Sequence, residues 1–137
     1  MKAGSNCCQA VLLAAGELGG FLPDEKLLAA ASLFGGGMGS GCVCGALAGM
    51  IMAGGIMAGQ DARNPDQNFP RRLHDRFREE FGATCCRALR KKRTPLEKMG
   101  NRACIELTGR ACEILMAEWE AIWDAPASAD FGNCSHP

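Results

Sequence analysis

The sequence predicts an all-α fold: a compact multi-helix bundle around a buried central helix rich in glycine, alanine and methionine. Three observations predict it. Apolar residues recur at helical spacing in several segments, and no run shows the strict alternation of a strand. Residues 35–55, GGGMGSGCVCGALAGMIMAGG, carry no charge, and none falls between Lys26 and Asp61. The 137 residues suffice for one domain with a real core, and 47% hydrophobic with 22% charged residues is ordinary for a globular chain.

The first helix starts after Asn6, a good N-cap, with Cys7, Ala10, Val11, Ala14, Ala15 and Leu18 on one stripe, and Gly19-Gly20 ends it. A second runs from Asp24 to about Phe34, with Leu27, Leu28, Ala31 and Phe34 on its inner face. Residues 35–41 form a loop, and the central helix follows from about Cys42 to Gly59. After a polar connection, DARNPDQNFP, a helix carries RRLHDRFREEF and stops at Gly82. TCCRALRKKR makes a short helix capped by Thr84, and TPLE at Thr94 to Glu97 has the form of a capping box. Past Gly100-Asn101, a long helix runs to about Trp123 on a stripe of Cys104, Leu107, Thr108, Ala111, Leu115, Trp119 and Ile122. One domain is expected over residues 1–124, with a loosely ordered tail at 125–137.

Charge is unevenly spread. Residues 1–60 hold only Lys2, Glu17, Asp24, Glu25 and Lys26, whereas residues 71–102 hold eleven basic and four acidic residues. Zero formal net charge gives no global argument for nucleic acid, and the basic block lacks interleaved aromatics. RALRKKR reads first as a solvated face; it would also compensate a negatively charged cofactor or dock an acidic redox partner protein. His74 reads as a surface histidine among charges, and Met50, Met52 and Met57 as core filling.

The uncharged stretch admits three readings. A phosphate loop needs GxxxxGK[ST] after a strand, and no lysine or arginine occurs between residues 35 and 55. Residues 42–59 are near the minimum length for a membrane span, but five glycines weaken their hydrophobicity and no aromatic belt or basic cluster flanks them. A helix apolar all round is also the centre of a bundle, and an exposed apolar face on it would make a homodimer.

The third reading concerns thiolates. Nine cysteines is many. Their odd number, the vicinal pairs Cys7-Cys8 and Cys85-Cys86, and an N-terminus unlike a signal peptide fit a reduced cytoplasm with metal-binding or redox thiols. Cys7 follows Asn6, Cys42 and Cys44 follow Ser40, Cys85 and Cys86 follow Thr84, and Cys104 follows Asn101. Each falls in the first turn after a capping residue, where free N–H groups and the helix dipole lower a thiol pKa. Such ends converging on one anionic site would gather thiolates there.

The blocks SNCCQAVL, GGGMGSGCVCGALAG and FGATCCRAL, with the later Cys104, resemble the C-GCAxxG-C-C family, to which redox activity is ascribed. A related domain occurs in split-Soret cytochromes c. The resemblance covers roughly residues 4–119. It implies an all-helical domain and an iron–sulfur cluster, [2Fe–2S] or [4Fe–4S], or another redox cysteine site. By position, the cofactor-binding residues it implies are Cys7, Cys44, Cys86 and Cys104. Cys8, Cys42, Cys85, Cys112 and Cys134 are extras, and a neighbour could substitute for an assigned ligand. The glycine-rich block reads Cys44-Gly45-Ala46, so its first two residues depart in order from the family name. No CxxCH occurs, so covalent haem is not carried over.

Four thiolates suit a cluster and equally tetrahedral zinc. The expected function is cluster binding for electron transfer or redox sensing. A dithiol–disulfide protein without metal and a structural zinc module are the alternatives. No Ser/His/Asp or paired-carboxylate set points to a particular enzyme reaction.

Overall fold

A computed structural model describes residues 4–61 and 65–124. Residues 125–137, with the expected tail and Cys134, lie outside the described residues. The architecture is all-α: α1 (Cys7–Gly19), α2 (Glu25–Ala31), α3 (Gly45–Gln60), α4 (Phe69–Phe81), α5 (Cys86–Lys91), α6 (Pro95–Lys98) and α7 (Arg102–Asp124).

Local chemistry sets the ends of α1. Asn6 and Gln9 form a reciprocal capping box, and Gly20 closes the helix in the left-handed region at φ 72°. The same two side chains bind α2 to α1. The Asn6 amide donates to the Ala31 and Ser32 carbonyls at 3.1 and 2.7 Å, and the Gln9 amide donates to Leu28 at 2.9 Å. The second helix is shorter than its apolar spacing predicts, because Ser32–Phe34 tightens into a single 3-10 turn.

α3 is the centre, packed against α1, α4 and α7. Small residues set this contact. A Cβ on Gly49 would stand 2.7 Å from the Cys8 carbonyl oxygen, and one on Gly45 2.9 Å from that of Phe34. The helices therefore approach backbone to backbone. Met50, Ala53 and Met57 are buried, with Ile51, Met52 and Ile56 packed at the core's edge. Among the described residues, no helix is long and apolar enough to cross a membrane.

The start of α3 differs from the sequence expectation. Residues 42–44 are extended or irregular, and Cys44 is the N-cap. The reason lies just before it. Gly36, Gly37, Met38 and Gly39 all have positive φ, so a left-handed turn precedes the helix. On α1, packing against both α3 and α7 buries Cys8 and Leu12, while Leu18 is exposed.

α4 and α7 complete the bundle. Phe69, Leu73 and Phe77 are buried on one face of α4, and the Phe69 ring meets Trp119 of α7 edge-on. The outer face of α4 is charged and largely self-neutralised. Arg71 and Arg78 face Asp75, Arg72 faces Asp66, and Arg72 and Arg76 face Glu118. His74 sits at this surface beside Asp75.

Candidate functional site

The family-implied cysteines come from four separate segments. Cys7 opens α1, Cys44 caps α3, Cys86 opens α5 and Cys104 lies in the first turn of α7. Cys44 and Cys86 are buried, and Cys7 and Cys104 are half-buried.

Backbone contacts hold these segments together. The Cys44 N–H donates to the Thr84 carbonyl at 2.7 Å, joining the entry of α3 to that of α5. Gly37 is also confined there. Its φ is 65°, and a Cβ on it would meet the Cys42 carbonyl oxygen and, at 2.8 Å, the Cys86 Cβ. Only glycine meets both the dihedral and the space. On the other side, the ideal Cβ position of Gly45 is 3.6 Å from the Cys7 sulfur.

The thiols interact. The ionisations of Cys7 and Cys104 are linked, and Cys44 feels the charge of both Cys86 and Cys104. Arg93 donates from Nη1 to the Cys104 Sγ at 3.2 Å. Cys104 is held well below a thiol's usual range, to about 5, first by its interaction with Cys7 and then by Arg93. Cys7 moves the opposite way: paired with Cys104, and partly buried, it keeps its proton. Within the pair, Cys104 is the thiolate and Cys7 the thiol.

This corrects the expectation that helix starts alone would lower these thiol pKa values. Cys44 makes no side-chain cap hydrogen bond; the nearby Ala46 and Leu47 N–H groups favour its thiolate, yet burial outweighs them and its pKa is raised. Thr84 is not the cap of α5 either. That position belongs to Cys85, which makes no side-chain cap hydrogen bond, and the Thr84 carbonyl accepts from the Cys44 N–H.

The remaining cysteines divide. Cys8 and Cys112 are buried in the apolar core, and desolvation pushes both thiols up to about 11. Their role is packing, with the Cys8 thiol 3.8 Å from the Met52 sulfur. Cys42 and Cys85 are exposed. All eight described cysteines are free thiols.

Among the described residues, no group of three or more His, Cys, Asp or Glu side chains is arranged to hold a metal ion. One tetrahedral zinc needs four donors each about 2.3 Å from the same ion, so its sulfurs must nearly touch. A [2Fe–2S] or [4Fe–4S] cluster is likewise held by four cysteine thiolates. A set of four cysteine thiols suits an iron–sulfur cluster and tetrahedral zinc alike. Cys7, Cys44, Cys86 and Cys104 would hold a cluster, and it would supply one-electron chemistry.

The spacing of cysteine blocks along the chain is diagnostic. Residues 5–118 match the family model described as "Putative redox-active protein (C_GCAxxG_C_C)". The chain belongs to this redox-active family. No curated protein matches it, and no solved structure does. Arg93, which the sequence reads first as part of a solvated face, instead lies beside the Cys104 sulfur. Its signal was faint: a basic residue just past a helix end, eleven residues before Cys104 in a run of similar charges.

Proposed function

We propose that this protein binds an iron–sulfur cluster through Cys7, Cys44, Cys86 and Cys104 and carries electrons or senses redox state in the cytoplasm, passing electrons to a partner protein. The observation that carries the reading is the mutual interaction of thiols from four separate elements, with the Arg93 guanidinium 3.2 Å from the Cys104 sulfur and favouring its thiolate. Each residue has a task. Burial of Cys44 and Cys86 keeps water from their sulfurs, the Ala46 and Leu47 N–H groups orient towards Cys44, and the Arg93 guanidinium offsets anionic charge at Cys104.

Anaerobic reconstitution with iron and sulfide, followed by charge-transfer absorption and metal analysis, tests it. Wild type should take up iron, and Cys7→Ser, Cys44→Ser, Cys86→Ser and Cys104→Ser should each weaken or abolish uptake. Zinc bound with no charge-transfer absorption would instead support a structural module.

The Cys7–Cys104 linkage favours a second reading. A thiolate beside a protonated thiol is the form that a dithiol couple takes before oxidation. Loss of two electrons to a disulfide-bearing partner, with release of the Cys7 proton, would join the two sulfurs. No iron uptake by wild type, with a reversible two-thiol titration lost in Cys7→Ser and Cys104→Ser alone, would establish this reading.

A further inference from the structure

A cleft of about 680 Å³ opens beside the thiols, with Cys86 and Cys104 among its lining residues. Its other walls are the left-handed glycine turn, α5, and the segment from Arg93 to Asn101. Five cationic side chains line it, Arg87, Arg90, Lys91, Arg93 and Lys98, and no carboxylate does. The contrast with α4 is sharp. There the arginines face Asp66, Asp75 and Glu118, whereas Arg87, Arg90, Lys91 and Lys98 make no ion pair among the described residues. Arg87 is held in place by donating to the Ser40 carbonyl at 2.8 Å.

Unneutralised cations are ordinary on a convex surface. In a concave cleft with a low-dielectric wall they focus the field inwards and raise local anion concentration. The volume falls within the range of small-molecule sites and is too small to enclose a folded partner. Two cations, Arg93 and Arg90, act on Cys104. Lys91 and Lys98 are not needed there, and they end different helices.

We propose that this cleft is a binding site for a small, multiply charged oxyanion, a polyphosphate or polycarboxylate, held beside the Cys86 and Cys104 sulfurs. Lys91 and Lys98 are the recognition residues of the two walls, and Arg87, fixed by Ser40, is the rigid one. The site would bring an anionic ligand to the redox centre, so ligand binding and redox state would be linked. The inference rests on the cleft's cations and holds whether the thiols carry a cluster or act as a dithiol.

Calorimetric titration of the full chain with inorganic pyrophosphate, and separately with citrate, tests it at physiological ionic strength, before and after iron–sulfide reconstitution. The expected result is saturable one-to-one binding of at least one probe, weakened about tenfold or more in Lys91→Gln/Lys98→Gln through loss of two charged contacts. Which probe binds more tightly assigns the ligand to phosphates or carboxylates. Arg71→Gln/Arg78→Gln makes the same change in net charge outside the cleft and should bind as wild type does. Should the double variant misfold by circular dichroism, Lys98→Gln alone carries the same expected direction. Binding of neither probe overturns the proposal. Equal weakening in the α4 control overturns it too, as general charge attraction. Binding lost on cluster uptake overturns it by showing that the basic wall serves the cluster.

Discussion

Arg93 donates to the sulfur of Cys104 at 3.2 Å, from the segment after α5 to the first turn of α7. With the Cys7 thiol on its other side, this fixes which member of the pair is ionised. The metal-free protein should therefore carry one thiol reactive well below pH 9. Cys104 has its pKa depressed towards about 5 from an ordinary 9.0, so its thiolate persists between those values. Alkylation by iodoacetamide, read by mass spectrometry at pH 6 to 7, should label Cys104 ahead of Cys7, whose pKa is raised. Arg93→Gln should slow that labelling. The sign for stability follows. A depressed acid stabilises the fold above its unfolded pKa and loses this contribution as pH falls from about 9 to about 5. Faster labelling of Cys7 would contradict the assignment.

Gly49 predicts a stability effect. Its α-carbon sits where a Cβ would stand 2.7 Å from the Cys8 carbonyl and 3.0 Å from the Val11 Cβ. Gly49→Ala should destabilise the protein by about 1 to 3 kcal/mol, through overpacking at a backbone contact. Gly55 is on the same helix with nothing within 4 Å, so Gly55→Ala should be neutral or stabilising by roughly the helix-propensity difference. Equal melting temperatures for the two variants would mean that α3 is not the packed centre.

Asn6 does two jobs. It caps α1 and holds the end of α2 through the Ala31 and Ser32 carbonyls. Asn6→Ala should cost at least the roughly 0.5 to 2 kcal/mol of a lost cap. Asn6→Asp keeps the cap acceptor but loses the amide donor, so chemical denaturation should place it between wild type and Asn6→Ala.

The four site positions and their neighbours should separate in behaviour. Cys8→Ala removes a buried thiol packed by Met52 and should lower stability without reducing iron uptake, whereas Cys42→Ala and Cys85→Ala should leave both nearly unchanged. Loss of iron uptake in Cys42→Ala or Cys85→Ala, with Cys44→Ser or Cys86→Ser mild, would move the ligand to the neighbouring cysteine.

Helix positions were largely legible because their signals are local. Asn6, Gly20, Gly82 and the Thr94–Glu97 box act over a few residues, and the ends of α1, the end of α4 and the start of α6 fall there. The entry to α3 was not legible. Whether residues 42–44 are helical depends on the Cys44 N–H finding the Thr84 carbonyl, forty residues away, and on a left-handed turn that admits Met38 at φ 60°. The raised pKa values of Cys7 and Cys44 escaped the sequence for a related reason, while that of Cys104 is lowered as expected. A helix start is visible in sequence, but burial and the Cys7–Cys104 partnership, which decide the sign, are tertiary.

Cys7 stands at the start of the first described helix and Cys104 in the last, yet each acts on the other's proton. A ribosome delivers these two residues far apart in time. The emerging polypeptide can form α1 and α3 early, since they pack on each other, but the pocket has no floor until α7 arrives. If the site holds a cofactor, the fourth thiol joins it only once α7 is made, so full loading would follow translation. Once loaded, the site would act as a clasp joining the first helix to the last. It would raise the cost of the end-fraying through which proteases commonly enter, and lifetime in the cell would then report on occupancy.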